Sequence, residues 1–285
     1  MRLRLAAIGA AATLTALGLT ACGDDSASSS EPTTLTVTAS EPSEGKYAFD
    51  VPAEVEGGTV SLTLKNTGAE GHEFGIVRVA DGTSAQKFAD DVLSKDSAPI
   101  PDYVLGAPGG AGGVQPGASG VSTISLEKGT YVYFCNFGDP PHYQNGMLGE
   151  FTVKDVASTA PLPTTSASVD PSEYKFDVSG LKAGENTIEF ANKGKEFHHL
   201  IAVPLVEGAT LDDVNKFLQS DGSGDTPPPV DFDKEQDLAV TGPGEAQVVS
   251  MTFDKGSYVF LCFINDRAGG PPHFTKGMIQ QVDIT

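Results

Sequence analysis

Apolar and polar positions alternate in short runs along most of the chain. Tyr47, Phe49 and Val51 alternate with Ala48 and Asp50, and Val60, Leu62 and Leu64 alternate with Ser61 and Thr63. The same period of two returns at Tyr174, Phe176 and Val178, and at Ile188 and Phe190. Alternation between Gly, Pro and Asn turns is the pattern of half-buried strands packed as a sandwich or barrel. At 84–94 and 211–220 the apolar residues shift toward helical spacing, which predicts one short helix in each half of the chain. The stretches 95–121 and 221–247, rich in Gly, Pro and Asp, are predicted to loop over one end.

The pattern is written twice. A stretch of Ser, Thr, Pro and Ala, ASTAPLPTTSAS at 157–168, reads as a linker, and the segments beside it, 34–156 and 169–285, repeat four blocks in the same order. EPSEGKYAFDV (41–51) answers DPSEYKFDV (170–178), and TVSLTLKNTG (59–68) answers NTIEFANKG (186–194). KGTYVYFC (128–135) answers KGSYVFLC (255–262), and PPHYQNGM (140–147) answers PPHFTKGM (271–278). The expected fold is all-β, with two small sandwiches in tandem and one short helix in each.

The first 33 residues follow another rule. Arg2 and Arg4 precede an uncharged, apolar or small run from Leu5 to Ala21, the form of an export signal and short for a membrane span. The run ends in Leu19-Thr20-Ala21-Cys22, which resembles the lipobox of bacterial lipoproteins. That resemblance implies a lipid on Cys22 and removal of the signal peptide 1–21; the alternative is an ordinary signal peptide in which Cys22 is incidental. With no twin-Arg pair, general export is the simpler route. Residues 22–33 are too polar and small to pack and read as a flexible tether. The expected location is extracytoplasmic, on a bacterial cell membrane, held through the lipid anchor only.

Charge narrows the function. With 18 Lys+Arg against 38 Asp+Glu and a net charge of −20, the chain lacks the cationic surface that nucleic acid requires. An acidic surface instead steers a cationic partner in a salt-dependent way. The seven glycines between Gly106 and Gly120 are not followed by the Lys of a phosphate-binding loop, so they read as loop. Asp221, Asp225, Asp231 and Asp233 lack the spacing of a calcium-binding loop. No nucleophile elbow is present.

The scarce residues carry the chemistry. Apart from Met1 and Cys22, the chain has Cys135 and Cys262, Met147, Met251 and Met278, and five histidines at 72, 142, 198, 199 and 273. The first half orders them His72, Cys135, His142, Met147; the second orders them His198 or His199, Cys262, His273, Met278. Two imidazoles, a thiolate and a weak thioether are the donor set of a blue-copper site. His72 and Cys135 are 63 apart and His198 and Cys262 are 64 apart, which suits donors on different strands meeting at one end of a sandwich. The other donors follow as C-x6-H-x4-M and C-x10-H-x4-M. A disulfide between Cys135 and Cys262 is the competing reading in an oxidising compartment, but it leaves the repeated His and Met unexplained.

Each half resembles a cupredoxin, the family of plastocyanin, azurin and the copper domains of nitrite reductases and multicopper oxidases. The resemblance is carried by the N-x-G-x3-H blocks at Asn66–His72 and Asn192–His198 and by the Cys–His–Met loops. It implies Greek-key β-sandwiches and one or two copper ions per chain. The implied ligands are His72, Cys135, His142 and Met147, and His198, Cys262, His273 and Met278. Position 199 competes with 198, because its spacing to Cys262 matches the first half. Two departures stand out. Many family members carry an Asn after the first His, tying the ligand loops together, where this chain has Glu73 and His199. The second Cys–His loop is also longer and holds Asp266, Arg267 and two glycines.

Four histidines in two such sites leave one spare imidazole, too few for a three-His catalytic copper, and no paired H-x-H motif exists for an oxygen-reducing cluster. The expected function is therefore electron transfer rather than enzyme catalysis, with a cationic redox protein as partner. Copper storage or delivery, with a copper donor or acceptor as partner, is one alternative; a metal-free interaction module is the other.

Overall fold

The computed structural model describes residues 30–95, 97–220 and 227–285. The expected signal peptide, Cys22 and most of the tether lie outside the described residues, as do Asp221 and Asp225.

The alternating runs become strands, and the repeat becomes a repeated strand order. The first half contains β1 (Thr33–Ser43), β2 (Lys46–Asp50), β3 (Glu54–Asn66), β4 (His72–Val79), β5 (Val104–Val114), β6 (Ser119–Leu126), β7 (Gly129–Phe134) and β8 (Leu148–Ser158). The second contains β9 (Ala167–Ser172), β10 (Lys175–Ser179), β11 (Gly184–Ala191), β12 (His198–Pro204), β13 (Gln236–Thr241), β14 (Ala246–Phe253), β15 (Gly256–Leu261) and β16 (Ile279–Ile284). In the first half, β2-β1-β3-β6 form one layer and β5-β4-β7-β8 the other. The second half repeats this as β10-β9-β11-β14 and β13-β12-β15-β16. β1 runs parallel to β3, and β9 to β11, so each half crosses over between hairpins as a Greek key does.

Period-two burial fills the space between layers. Leu35, Val37, Val60, Leu62 and Leu64 pack against Phe74, Ile76, Tyr131 and Phe151 in the first half. Val169, Ile188 and Phe190 pack with Leu200, Ala202, Tyr258 and Phe260 in the second. The predicted helices form at matching places. Ser84 caps α1 (Ala85–Phe88) by accepting from the Lys87 amide, and the chain continues in wider π-type turns over Ala89–Leu93. Thr210 and Asp213 form a capping box on α2 (Leu211–Gln219), closing two free N–H groups at its start.

The loops predicted at 95–121 and 221–247 are only partly loops, and this expectation is corrected. β5, the start of β6, and β13 lie inside them, and six of the seven glycines read as loop residues are strand residues, Gly117 alone standing in the turn between β5 and β6. The halves meet edge to edge in both layers: β6 pairs with β14 through Ile124↔Gln247 and Ser122↔Val249, and β5 meets β13 at Pro108↔Thr241. At this seam backbones approach too closely for side chains. A Cβ on Gly112 would run into the Asp237 carbonyl oxygen across the seam, and one on Gly110 into that of Phe74 on the neighbouring β4 of its own half. Glycine is therefore a packing requirement here. Side chains complete the seam: the Ala107 amide donates to Glu245 Oε2 at 2.7 Å, and the Gly113 amide donates to Asp237 Oδ1 at 2.6 Å.

Replacing Gly110 by Ala should cost about 1–3 kcal/mol, because backbone must move to admit the methyl group. A urea midpoint measurement checks this; an unchanged midpoint would show the strands free to separate.

Candidate metal centre

Both donor clusters form at the same end of their sandwich, from equivalent strand ends. His72 opens β4 and His198 opens β12, each placed by the asparagine six residues earlier. Asn66 Nδ2 donates to the carbonyls of Glu70 (2.6 Å) and Val114 (2.8 Å), while its Oδ1 accepts from the Gly68 amide (2.9 Å). Asn192 does the same with Glu196 (2.7 Å), Thr241 (2.9 Å) and Gly194 (2.8 Å). The N-x-G-x3-H block is thus a buckled loop pinned by one buried amide.

The other donors come from one continuous segment. Cys135 follows β7, His142 opens a 3-10 turn over His142–Asn145, and Met147 precedes β8. The Cys135 amide donates to the Met147 carbonyl (3.1 Å), the Tyr143 amide to the Cys135 carbonyl (2.9 Å), and the Met147 amide to the His142 carbonyl (3.1 Å). Cys262, Phe274, His273 and Met278 repeat this clasp at 2.9–3.2 Å. Gly146 and Gly277 leave each 3-10 turn at φ +126° and +106°, a conformation glycine adopts without strain. This accounts for the Gly-Met pair in both copies.

The side chains converge completely buried. His72 Nδ1 lies 3.1 Å from His142 Nδ1, which is 3.6 Å from Cys135 Sγ. His198 Nδ1 lies 3.2 Å from His273 Nδ1, which is 3.6 Å from Cys262 Sγ. Of the two neighbouring histidines it is His198 that enters this cluster. Met147 and Met278 are fully buried beside the clusters in sequence and share the backbone clasp. Both cysteines are free thiols in separate halves, so no disulfide joins them.

The proton positions show what such a cluster needs. His72 Nε2 bonds Glu41 Oε1 at 2.7 Å, and His142 Nε2 bonds Glu70 Oε2 at 3.2 Å. A carboxylate only accepts, so each Nε2 carries the proton and each Nδ1 presents a lone pair. Two lone pairs facing each other at 3.1 Å, beside a thiol, form a donor set for a cation. In the second half His273 Nε2 bonds Asp266 Oδ1 at 3.1 Å, while the buried His198 Nε2 has Glu173 Oε1 at 4.0 Å and no hydrogen bond. Burial pushes both thiols up to about 12 and His198 down to about 4, and it lowers His142 and His273. Burial thus favours the neutral form of His142, His198 and His273, the form that ligates, and a bound metal ion would supply the charge that ionises the thiol.

Sequence reasoning did not assign these carboxylates, nor the rings of Tyr47, stacked on His142 with centroids 3.9 Å apart, and Tyr174, edge-on to His273 at 5.1 Å. The available signal was the repeat: both tyrosines and an acid lie in the first matched block. Glu70 and Glu196 both stand two residues before their histidine. Carboxylates behind histidine ligands fix tautomer and raise donor strength.

The two departures from the family pattern have structural explanations. Glu73 Oε1 accepts from the Asn136 amide (2.9 Å), and His199 Nε2 accepts from the Phe263 amide (2.8 Å). The tie between ligand loops is kept with different acceptors. The longer second loop docks on the first half: the Ile100 amide donates to the Arg267 carbonyl (2.8 Å), and the Gly270 amide donates to that of Ser97 (3.0 Å). Arg267 itself lies over the Phe197 ring at 4.9 Å.

Replacing His199 by Ala should strand the Phe263 amide and cost about 1–3 kcal/mol, with His199→Asn recovering most of the loss in urea melts. Burial holds His199 down to about 3 in the folded chain, whereas the unfolded chain takes up that proton near 6.5. The unfolded state binds more protons between these values, so this contribution to stability falls as pH drops from about 6.5 toward 3. In the copper-free chain His199→Asn should flatten the dependence of the urea midpoint on pH between 4 and 7; an unchanged slope would contradict the assignment.

No protein-family model matches the chain, and no curated protein matches it. Among solved structures it is similar to a reduced auracyanin from the photosynthetic bacterium Roseiflexus castenholzii, at 27% identity over 45% of this chain and 98% of that one, with a TM-score of 0.31. It is also similar to auracyanin A, a blue copper protein of Chloroflexus aurantiacus, at 24% identity over 42% and 99% of the two chains, TM-score 0.29. A copper nitrite reductase from Nitrosomonas europaea aligns over 90% of this chain and 94% of its own, at 16% identity and TM-score 0.28. In its strand order and its two His–Cys–His clusters each half is similar to a cupredoxin, and the two donor sets are suited to one or two copper ions.

Proposed function

We propose that the chain is an extracytoplasmic electron-transfer protein holding type 1 copper in both halves. His72, Cys135, His142 and Met147 hold one ion; His198, Cys262, His273 and Met278 hold the other. The observation that carries this reading is the buried convergence of two Nδ1 lone pairs and one thiol, built twice from the same motif. Copper bound there supplies a one-electron couple. The protein's part is to keep water away, present the imidazole donors and fix them through the clasp, so that little moves when the charge changes. His199, the histidine outside the clusters, is engaged with the Phe263 amide, and this supports electron transfer without a separate catalytic copper.

The net charge of −20 favours a cationic redox protein as partner. The domain plan follows the repeat: 34–156 and 169–285 joined by 157–168, with signal peptide 1–21 and tether 22–33. A lipid on Cys22 would hold the chain to the membrane, in keeping with the Leu-Thr-Ala-Cys motif; among the described residues no helix is long and apolar enough to span one. The second reading is copper storage or delivery at the cell surface, which the same soft donors would allow.

Titrating the full chain with Cu(II) should give two ions per chain and an intense visible band from thiolate-to-copper charge transfer. Cys135→Ser and Cys262→Ser should each remove about one ion and part of the band, by the loss of the thiolate. Tight Cu(I) binding without the band would favour storage, and no binding of either ion would leave a metal-free module.

A further inference from the structure

Between the halves lies a cavity of about 340 Å³ that the copper chemistry does not use. An engineered apolar cavity of about 150 Å³ is enough for benzene, so this one has room for a single ring with a substituent. Its walls come from both halves and are mostly apolar, including Ile76, Phe134, Phe197, Ile201, Leu238 and Val240. Its polar groups come chiefly from Glu73, Asp237, His199 and Asn136, and no Lys or Arg lines it.

Glu73 and Asp237 stand half-buried at the edge of this apolar space, and no cationic side chain lines it. Burial raises the pKa of Asp237, and neighbouring Glu235 is pushed up to about 6 by burial and by Asp237. The hydrogen-bond partners of Glu73 and Asp237 are backbone amides, Asn136 to Glu73 Oε1 and Gly113 to Asp237 Oδ1 (2.6 Å), neither of which carries a positive charge. A metal ion does not fit: the described groups whose donor atoms gather closely enough are the two His–Cys–His sets and Glu196–Asp266–His273, not these acids with His199. What fits both the apolar walls and the negative end is an ammonium group on a compact hydrophobic body.

We propose that the cavity between the halves binds a small organic amine, its ring against Phe134, Phe197, Ile201 and Leu238 and its ammonium group between Glu73 and Asp237. The site borders both metal clusters, since Asn136 and Phe263 follow the two cysteines and Glu73 and His199 follow the first histidine of each cluster. It needs no metal in either, so the test separates it from the copper reading.

Calorimetric titration of the full chain with 2-phenylethylamine, copper-free and copper-loaded, tests this against the neutral 2-phenylethanol. One amine should bind per chain in both forms, at least tenfold more tightly than the alcohol. Asp237→Asn, which keeps the acceptor for the Gly113 amide, should weaken the amine at least tenfold and leave the alcohol unchanged. Val240→Phe, which fills the space, should abolish both, with a melting curve showing that each variant folds. Equal binding of amine and alcohol, undiminished amine binding by a folded Asp237→Asn, or no binding at millimolar amine would overturn the proposal.

Discussion

Both centres depend on a backbone clasp. The cysteine amide donates to the carbonyl of the methionine twelve or sixteen residues later, and the cysteine carbonyl accepts from the residue after the second histidine. These bonds close the ligand loop on itself, so cysteine, histidine and methionine keep their places whatever the loop holds between them. That is why the second loop can be four residues longer and still present its donors at nearly the same distances, 3.2 and 3.6 Å against 3.1 and 3.6 Å. The first histidine is brought in separately, by the Asn66 and Asn192 amides that pin its approach. Each centre is therefore the meeting point of two independently fixed pieces of backbone.

The parts legible in the sequence were those written as local patterns. Period-two alternation identified the strands around Tyr47–Val51 and Val60–Leu64, and the repeated His, Cys, His and Met positions brought the donor sets together. The glycine-rich run was misread because the same composition serves a flexible loop and a strand crowded by another backbone. Only the partner strand distinguishes them, here Phe74 over Gly110 and Asp237 over Gly112. The choice between His198 and His199 could not be made from spacing, since one residue changes the count but not the motif. In the structure strand alternation turns the His198 ring into the cluster and the His199 ring toward the Phe263 amide.

The carboxylates behind the imidazoles were hidden for a different reason. Glu70 is 72 residues from His142 and Asp266 is seven from His273, so the two play the same part from unrelated places in the chain. Such support is a property of the folded surface, not of a motif. Their effect on the centre is nonetheless direct, because a proton held on Nε2 commits Nδ1 to act as a donor. The seam between the halves is likewise non-local. It joins equivalent edge strands in antiparallel pairs, brings the long loop of one half onto the other, and leaves both centres bordering one acidic cavity.

The central claim is that the metal sits on the Nδ1 and thiolate side of these histidines, not on their Nε2 and carboxylate side. A crystal structure of the copper-loaded chain, with copper located by anomalous scattering, tests it most directly. The account expects two copper positions, one within bonding distance of His72 Nδ1, His142 Nδ1 and Cys135 Sγ and the other of His198 Nδ1, His273 Nδ1 and Cys262 Sγ. Copper found instead against Nε2, beside Glu41 or among Glu196, Asp266 and His273, would contradict it.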